Sequence, residues 1–202
     1  MADSVVQIYN MALGWLGGHQ LPSVEAAWED DEAGRLCQTY YPQILREALE
    51  AHDWSFAASS QDLGRKPGYG REDYSIRYGL PSDYLRAIRL EGGNHYDQPH
   101  FIIEGEHLLT DAAPARLIYI ALVDDPKKLP PAFVTAVSYG LASFLATGAN
   151  NDQQAQNNCQ QKYLTMLEEA WARDLGSQKP KRKPSAWASA RHGGWSGRQD
   201  WQ

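Results

Sequence analysis

Residues 131–148 read PAFVTAVSYGLASFLATG and place Phe133, Ala136, Val137, Gly140, Leu141, Phe144 and Leu145 at spacings of three and four. That period puts them on one face of an α-helix, opened by Pro131 and extending to about Gly148. Asn150-Asn151-Asp152 then supplies a break and a new cap. A last helix is expected over 152–175, with Cys159, Tyr163, Met166, Leu167, Ala170 and Trp171 on its buried side and Gly176 closing it.

Two further helices are expected at the start of the chain. Val5, Ile8, Tyr9, Ala12, Leu13 and Leu16 mark one over 4–16, with Ser4 and Gln7 as a capping box and Gly17-Gly18 as its stop. Ala33, Leu36, Cys37, Tyr40, Ile44, Leu45 and Leu49 mark a second over 26–52, which Pro42 should kink or split. Its acidic opening, Glu29-Asp30-Asp31-Glu32, suits the positive end of a helix dipole better than a metal site.

Between the helical segments, residues 54–123 change texture. Short runs at Tyr74–Tyr78, Leu85–Leu90, Phe101–Glu104, Leu108–Thr110 and Ala115–Leu122 read as strands, with Glu104-Gly105-Glu106 a hairpin turn and 64–70 an exposed loop. The expected fold class is therefore α+β: a helical bundle body over 1–175, a small antiparallel β insertion protruding from it, and an extended arm over 176–202.

Charge separates the arm from the body. The arm carries Lys179, Lys181, Arg182, Lys183, Arg191 and Arg198 against Asp200 alone, a net of +5; the other residues hold 13 basic and 24 acidic side chains, a net of −11. Three of the seven tryptophans, Trp187, Trp195 and Trp201, also lie in the arm, among Gly, Ser and Pro and with almost no aliphatic residues. Such a segment builds no core of its own, and its indoles gain most when a partner buries them. One reading is protein docking, since Trp and Arg are favoured interface anchors. The alternative is nucleic-acid binding, in which aromatic rings stack on bases and cations neutralise phosphates. The acidic body argues against a nucleic-acid-wrapping surface.

The sequence offers no assembled catalytic set. His95, Asp97, His100 and His107 form the one cluster to test for a metal, but their spacing is irregular. His52 is expected to cap the carbonyls of the second helix. Gly194-Trp195-Ser196-Gly197 lacks the spacing of a nucleophile elbow, and 64–70 lacks the Lys-Ser/Thr ending of a phosphate loop. We expect no enzyme activity, no cofactor and no metal. Cys37 and Cys159 are expected as reduced thiols on helix faces. No Lys or Arg precedes Arg35, as a signal peptide would require, and no apolar run approaches about 20 residues. Synthesis in the cytoplasm, without a targeting or membrane segment, is the expectation.

The ordered series of local patterns resembles the head-to-tail adaptor proteins of tailed bacteriophages, in the tail tubular protein A or gatekeeper group. The resemblance spans roughly 5–171 and rests on Ile8 through Gly17, Leu21-Pro22-Ser23, and Tyr40-Tyr41-Pro42 with Arg46. It continues through His52 to Ala57, Tyr78 to Arg86, Glu104-Gly105, Leu109 to Asp111, Leu117 to Ile120, and Leu129 to Phe133. Many of these residues have plain structural roles: Trp54 and Phe56 should cover the bundle, and Pro81 with Asp83 should set and cap a turn. The resemblance implies a structural virion protein that forms a ring, typically dodecameric, below the portal. That ring would line the DNA exit channel and carry the distal tail protein. Its partners would be the portal protein, neighbouring subunits, the nozzle or tube protein and double-stranded DNA in passage, with no membrane. By position in the chain, Lys179, Lys181, Arg182, Lys183, Trp187, Arg191, Trp195, Arg198 and Trp201 would be the portal-docking residues.

Overall fold

The computed structural model describes residues 4–23, 32–67, 73–92, 99–150 and 152–177. Over these the chain runs α1 (Val5–Trp15), α2 (Glu32–Ala51), β1 (Ala58–Asp62), β2 (Ile76–Gly79), β3 (Tyr84–Gly92), β4 (Phe101–Glu104), β5 (His107–Thr110), β6 (Ala115–Ala121), a 3₁₀ turn at Pro126–Lys128, α3 (Pro131–Asn150) and α4 (Gln153–Ser177). The class is α+β, as expected. Residues 26–31 of the expected second helix, including Glu29, Asp30 and Asp31, lie outside the described residues, as do 68–70 of the expected loop.

Helix α3 is the axis of the bundle, packed by α4, α1 and α2. One apolar face was expected, yet Val134, Ser138, Tyr139, Ala142, Ser143 and Ala146 are buried as well. Three neighbouring helices leave little of its circumference to solvent. The hydroxyls of Ser138 and Ser143 donate to the carbonyls of Thr135 and Gly140, each at 2.7 Å, so their burial leaves no unpaired donor. At Gly140 an added Cβ would stand 3.0 Å from Ile44 and 3.1 Å from Tyr163, so α2 and α4 both close in on this point. Phe144 departs from expectation: it is 37% exposed and stacks on Tyr40 of α2 at a ring separation of 5.1 Å.

The same burial explains the apolarity of this helix. Pro131–Gly148 is long and apolar enough to cross a bilayer, with a mean hydropathy of 1.2, but 67% of it is buried against protein. Its apolarity is that of a helix enclosed by other helices.

Pro42 was expected to kink or split helix α2; the helix is not split, and it continues through Pro42 to Ala51. Cys37 and Tyr41 before the proline, and Ile44 and Leu45 after it, enter one core. Pro42 itself faces solvent, where water can satisfy the carbonyl left without an N–H donor. Helix α1 ends as the sequence suggests: Gly17 takes φ 70°, and the N–H of Gly18 reaches back to the Leu13 carbonyl at 2.9 Å. Its start differs, because the Ser4 side chain makes no capping bond. The Asp152 carboxylate does cap α4, accepting from the N–H groups of Gln154 and Ala155, both at 3.0 Å.

The β insertion comprises two three-stranded antiparallel sheets, ordered β1-β6-β3 and β2-β5-β4. Side-chain alternation gives β6 two roles. Leu117, Tyr119 and Ala121 join Tyr78, Leu90 and Leu108 in a second core, while Ile120 enters the helical core. Register shifts between Tyr84/Arg86 and Ala87/Arg89 in β3 serve the same end. They let Tyr84, Ala87 and Leu90 pack on the second core and Leu85 and Ile88 on the first. The first sheet is thus rooted in the bundle. β4 and β5 form the expected hairpin, with Gly105 at φ 58° in its turn.

Two local expectations need correction. Asp83 does not cap the turn at Pro81; its carboxylate accepts from the Tyr119 hydroxyl at 2.9 Å, while the turn closes through the Tyr84 N–H and the Pro81 carbonyl at 3.2 Å. His52 does not serve α2 as a cap: its ring stacks on Trp171 at 4.5 Å and its Nε2 lies 3.3 Å from Glu168 Oε1, tying α2 to α4.

Candidate functional site

The arm residues singled out by the sequence, Lys179, Lys181, Arg182, Lys183, Trp187, Arg191, Trp195, Arg198 and Trp201, lie outside the described residues, as do His95 and Asp97. The remaining members of the histidine cluster occupy the hairpin region. The His100 carbonyl accepts from Thr110 Oγ1 at 2.8 Å, and His107 opens β5 opposite Glu104. Among the described residues, no three His, Cys, Asp or Glu side chains are grouped to hold a metal ion.

Among the described residues, a groove opens where the end of α1 meets α3 and α4. It encloses about 680 Å³, with Trp15, Tyr139, Cys159, Lys162 and Met166 among its walls and Asp152 and Asn158 among its polar lining. Trp15, the last residue of α1, is 45% exposed. Its indole stacks on Tyr139 at 4.5 Å and an interplanar angle of 16°, and its N–H donates to Ser138 Oγ at 3.1 Å. The Lys162 ammonium sits over the Tyr139 ring, 5.3 Å from its centroid. A large aromatic residue is therefore fixed in orientation while much of its surface remains in solvent. An immobilised indole loses little further side-chain entropy on contact with another surface, the property of an interface anchor.

The chemistry of the groove is that of contact. Burial raises the pKa of the Cys159 thiol, and the opposing effect of Lys162 is smaller, so the thiolate is disfavoured. Trp15 could have been singled out from sequence. It continues the Ile8–Ala12 edge of the apolar stripe into the last turn before Gly17-Gly18, where a large ring lies at the margin of the core. Tyr139 carried no such signal, because its position on α3 acquires meaning only through α1 and α4.

A cluster of buried phenols lies deeper in the bundle. Tyr9 and Tyr41 meet edge to face at 5.5 Å. Burial, with lesser contributions from Cys37 and Tyr41, raises the Tyr9 pKa; burial and Asp124 push Tyr41 up to about 12. Tyr163 is also raised, mainly by burial. Neutral phenols are therefore favoured in the folded state. Unfolded tyrosines ionise near pH 10, so stability is retained below that pH and lost as pH rises through the folded values. For Tyr41 the loss between pH 10 and 12 is on the order of 2 kcal/mol. Thermal unfolding should shift to lower temperature over that interval. Tyr41→Phe should flatten the dependence, and its neutral-pH stability should stay level or rise, because the Tyr41 hydroxyl is buried without a hydrogen-bond partner among the described residues. An equally steep alkaline slope in Tyr41→Phe would contradict this assignment.

No protein-family model and no curated protein matches this chain.

Proposed function

We propose that the chain is a structural adaptor of the head-to-tail junction of a tailed bacteriophage virion, assembling as a ring beneath the portal. The observation that carries this reading is where the family-like segments fall in the fold. His52 through Ala57 form the junction from α2 into the first sheet; Tyr78 through Arg86 join the two sheets; Leu129 through Phe133 return the chain to α3. They are the joints of one architecture, which supports reading their order along the sequence as a common design.

Two physical features fit the role. An acidic body offers DNA no broad basic surface to hold it, which suits a conduit through which a duplex passes. The Trp15 groove offers a neighbouring subunit an oriented anchor on one lateral face, as a closed ring of head-to-tail contacts requires two different faces. On this reading the partners are the portal, the adjacent adaptor subunits and the distal tail protein, and the site of action is the virion after synthesis in the host cytoplasm.

The test is the mass of the purified full chain alone and with its portal. A ring that appears on the portal supports the proposal, and a chain that ignores the portal overturns it. Trp15→Ala should weaken subunit association while leaving the fold intact, since it removes a half-exposed side chain; unchanged ring formation would remove the groove from the interface. Tight binding of single-stranded DNA that falls steeply with salt would instead favour the nucleic-acid reading of the arm.

A further inference from the structure

Helix α4 presents a second surface on the side away from the Trp15 groove. Gln160, Leu164 and Glu168 follow one another at steps of four and so share one side of the helix. The Gln160 side chain lies 3.2 Å from Ser143 Oγ of α3, and Glu168 Oε1 lies 3.3 Å from His52 Nε2 of α2, so this side looks toward α2. Leu164 stands between them and is 54% exposed. Across the seam, Phe144 stacks on Tyr40 yet stays open to solvent. Burial, and after it the Glu47 carboxylate, raises the Tyr163 phenol, which puts Glu47 of α2 beside α4. Glu50, one turn on, is exposed as well, and neither carboxylate enters an ion pair among the described residues. The seam is apolar at its centre and acidic at its rim.

The Trp15 groove has the reverse charge. Residues 4–23, which include all of α1, contain no Asp, Glu, Lys or Arg. The carboxylate among the groove's lining residues, Asp152, is engaged by the N–H groups of Gln154 and Ala155. The Lys162 ammonium over Tyr139 is left as the groove's charge. Lys162 and Leu164 are two residues apart, about 200° of helical turn, so the cation and the leucine look out on opposite sides of α4.

We propose that the occupant of the Trp15 groove is a second copy of this chain, which sets Leu164 and Phe144 of its α2–α4 seam against Trp15 and Tyr139 and brings Glu47 to Lys162. Apolar centres and opposite rim charges match the two surfaces. Pairing seam to seam would oppose carboxylates, and pairing groove to groove would oppose ammonium groups. Because the two surfaces lie on opposite sides of one helix, a copy that receives one neighbour in its groove still offers its seam to the next. The contact is therefore head-to-tail. It specifies the neighbouring-subunit contact of the proposed ring and rests on that reading for closure into a ring, whereas the pairing itself needs only copies of this chain.

Carbodiimide cross-linking of the full chain without a portal tests the pairing. In a mixture of isotopically heavy and light protein, the zero-length product should be a mixed-isotope peptide joining Lys162 of one copy to Glu47 of another. Leu164→Glu spoils the seam and Trp15→Ala the groove, and each variant alone should lose the product by about tenfold or more. Mixed together they should regain it in one direction only, from Lys162 of the Leu164→Glu copy to Glu47 of the Trp15→Ala copy. Thr165→Glu, at an exposed position of the groove wall, replaces Trp15→Ala should that variant lose its helical circular dichroism. A parent mixture without the Lys162–Glu47 peptide overturns the proposal. So does a product retained by either variant alone, or one that two folded variants fail to restore. A pairing found in a chain that ignores the portal upholds the proposal and removes the adaptor reading; a ring on the portal that tolerates Leu164→Glu does the opposite.

Discussion

Trp54→Ala should cost the protein about 3–5 kcal/mol, the range for deleting a buried large aromatic residue, and lower the melting temperature by roughly 6–20 °C for a chain of this size. Trp54 is 1% exposed and sits where three structural layers meet. Its ring meets Phe133 of α3 edge to face at 5.0 Å, and His52 at the end of α2 at 5.4 Å. Its indole N–H donates to the Ala48 carbonyl at 2.8 Å, satisfying a terminal acceptor of α2 that no further turn of helix can reach. Alanine would open a cavity and strand that carbonyl together. Trp54→Phe separates the two effects, since it keeps most of the apolar contact and loses only the donor, at about 1–3 kcal/mol. Urea unfolding of the three proteins gives the comparison. A loss below about 1 kcal/mol for Trp54→Ala would mean that the α2 exit is not a keystone of the bundle.

Trp54 also shows what was legible in the sequence. Its place after a long amphipathic helix, followed by Phe56, sufficed to assign it to covering the bundle. The buried side of α4 was equally plain, because Cys159, Tyr163, Leu167 and Ala170 recur at helical spacing and are all buried. Strand β1 was not legible. Its sequence, Ala58-Ser59-Ser60-Gln61-Asp62, is largely exposed and polar, and it is a strand because its backbone pairs with β6 from Ala58↔Ile120 to Asp62↔Arg116. An edge strand held by main-chain bonds leaves little trace in side-chain periodicity. The twofold character of the insertion was hidden for a related reason: bulges in β3 break the alternation that would have revealed which residues face which core.

The site divides along the same line. Trp15 stands at the end of a helix that the sequence shows plainly, but the platform beneath it is Ser138 and Tyr139 of α3, more than a hundred residues away in sequence, with Lys162 of α4 over the Tyr139 ring. Pairings of that separation are set by how helices cross, which no local pattern encodes. The arm is the converse case, conspicuous by its composition alone.

On the proposed adaptor reading, removing residues 178–202 should abolish attachment of the protein to a portal while leaving the body folded, the largest functional effect expected of any single change. Among the described residues both hydrophobic cores draw their members from positions up to Trp171, all of which the truncation keeps. Ser177, whose hydroxyl donates to the Asp174 carbonyl at 2.6 Å, is retained to close α4. What is lost is the basic segment with its three tryptophans. Interface hot spots, in which tryptophan is enriched, cost about 2 kcal/mol or more each, so if even two of the three tryptophans are hot spots the triple change Trp187→Ala, Trp195→Ala and Trp201→Ala should weaken portal binding about 1,000-fold. The alternatives leave different signatures. If the basic residues alone held the partner, the triple tryptophan variant would bind nearly as well as the parent, and affinity would collapse with salt. If the arm bound nucleic acid, truncation would remove DNA binding and spare portal attachment. Measuring portal binding and single-stranded DNA binding for the full chain, the truncation and the triple variant at two salt concentrations therefore assigns the arm to one of these roles.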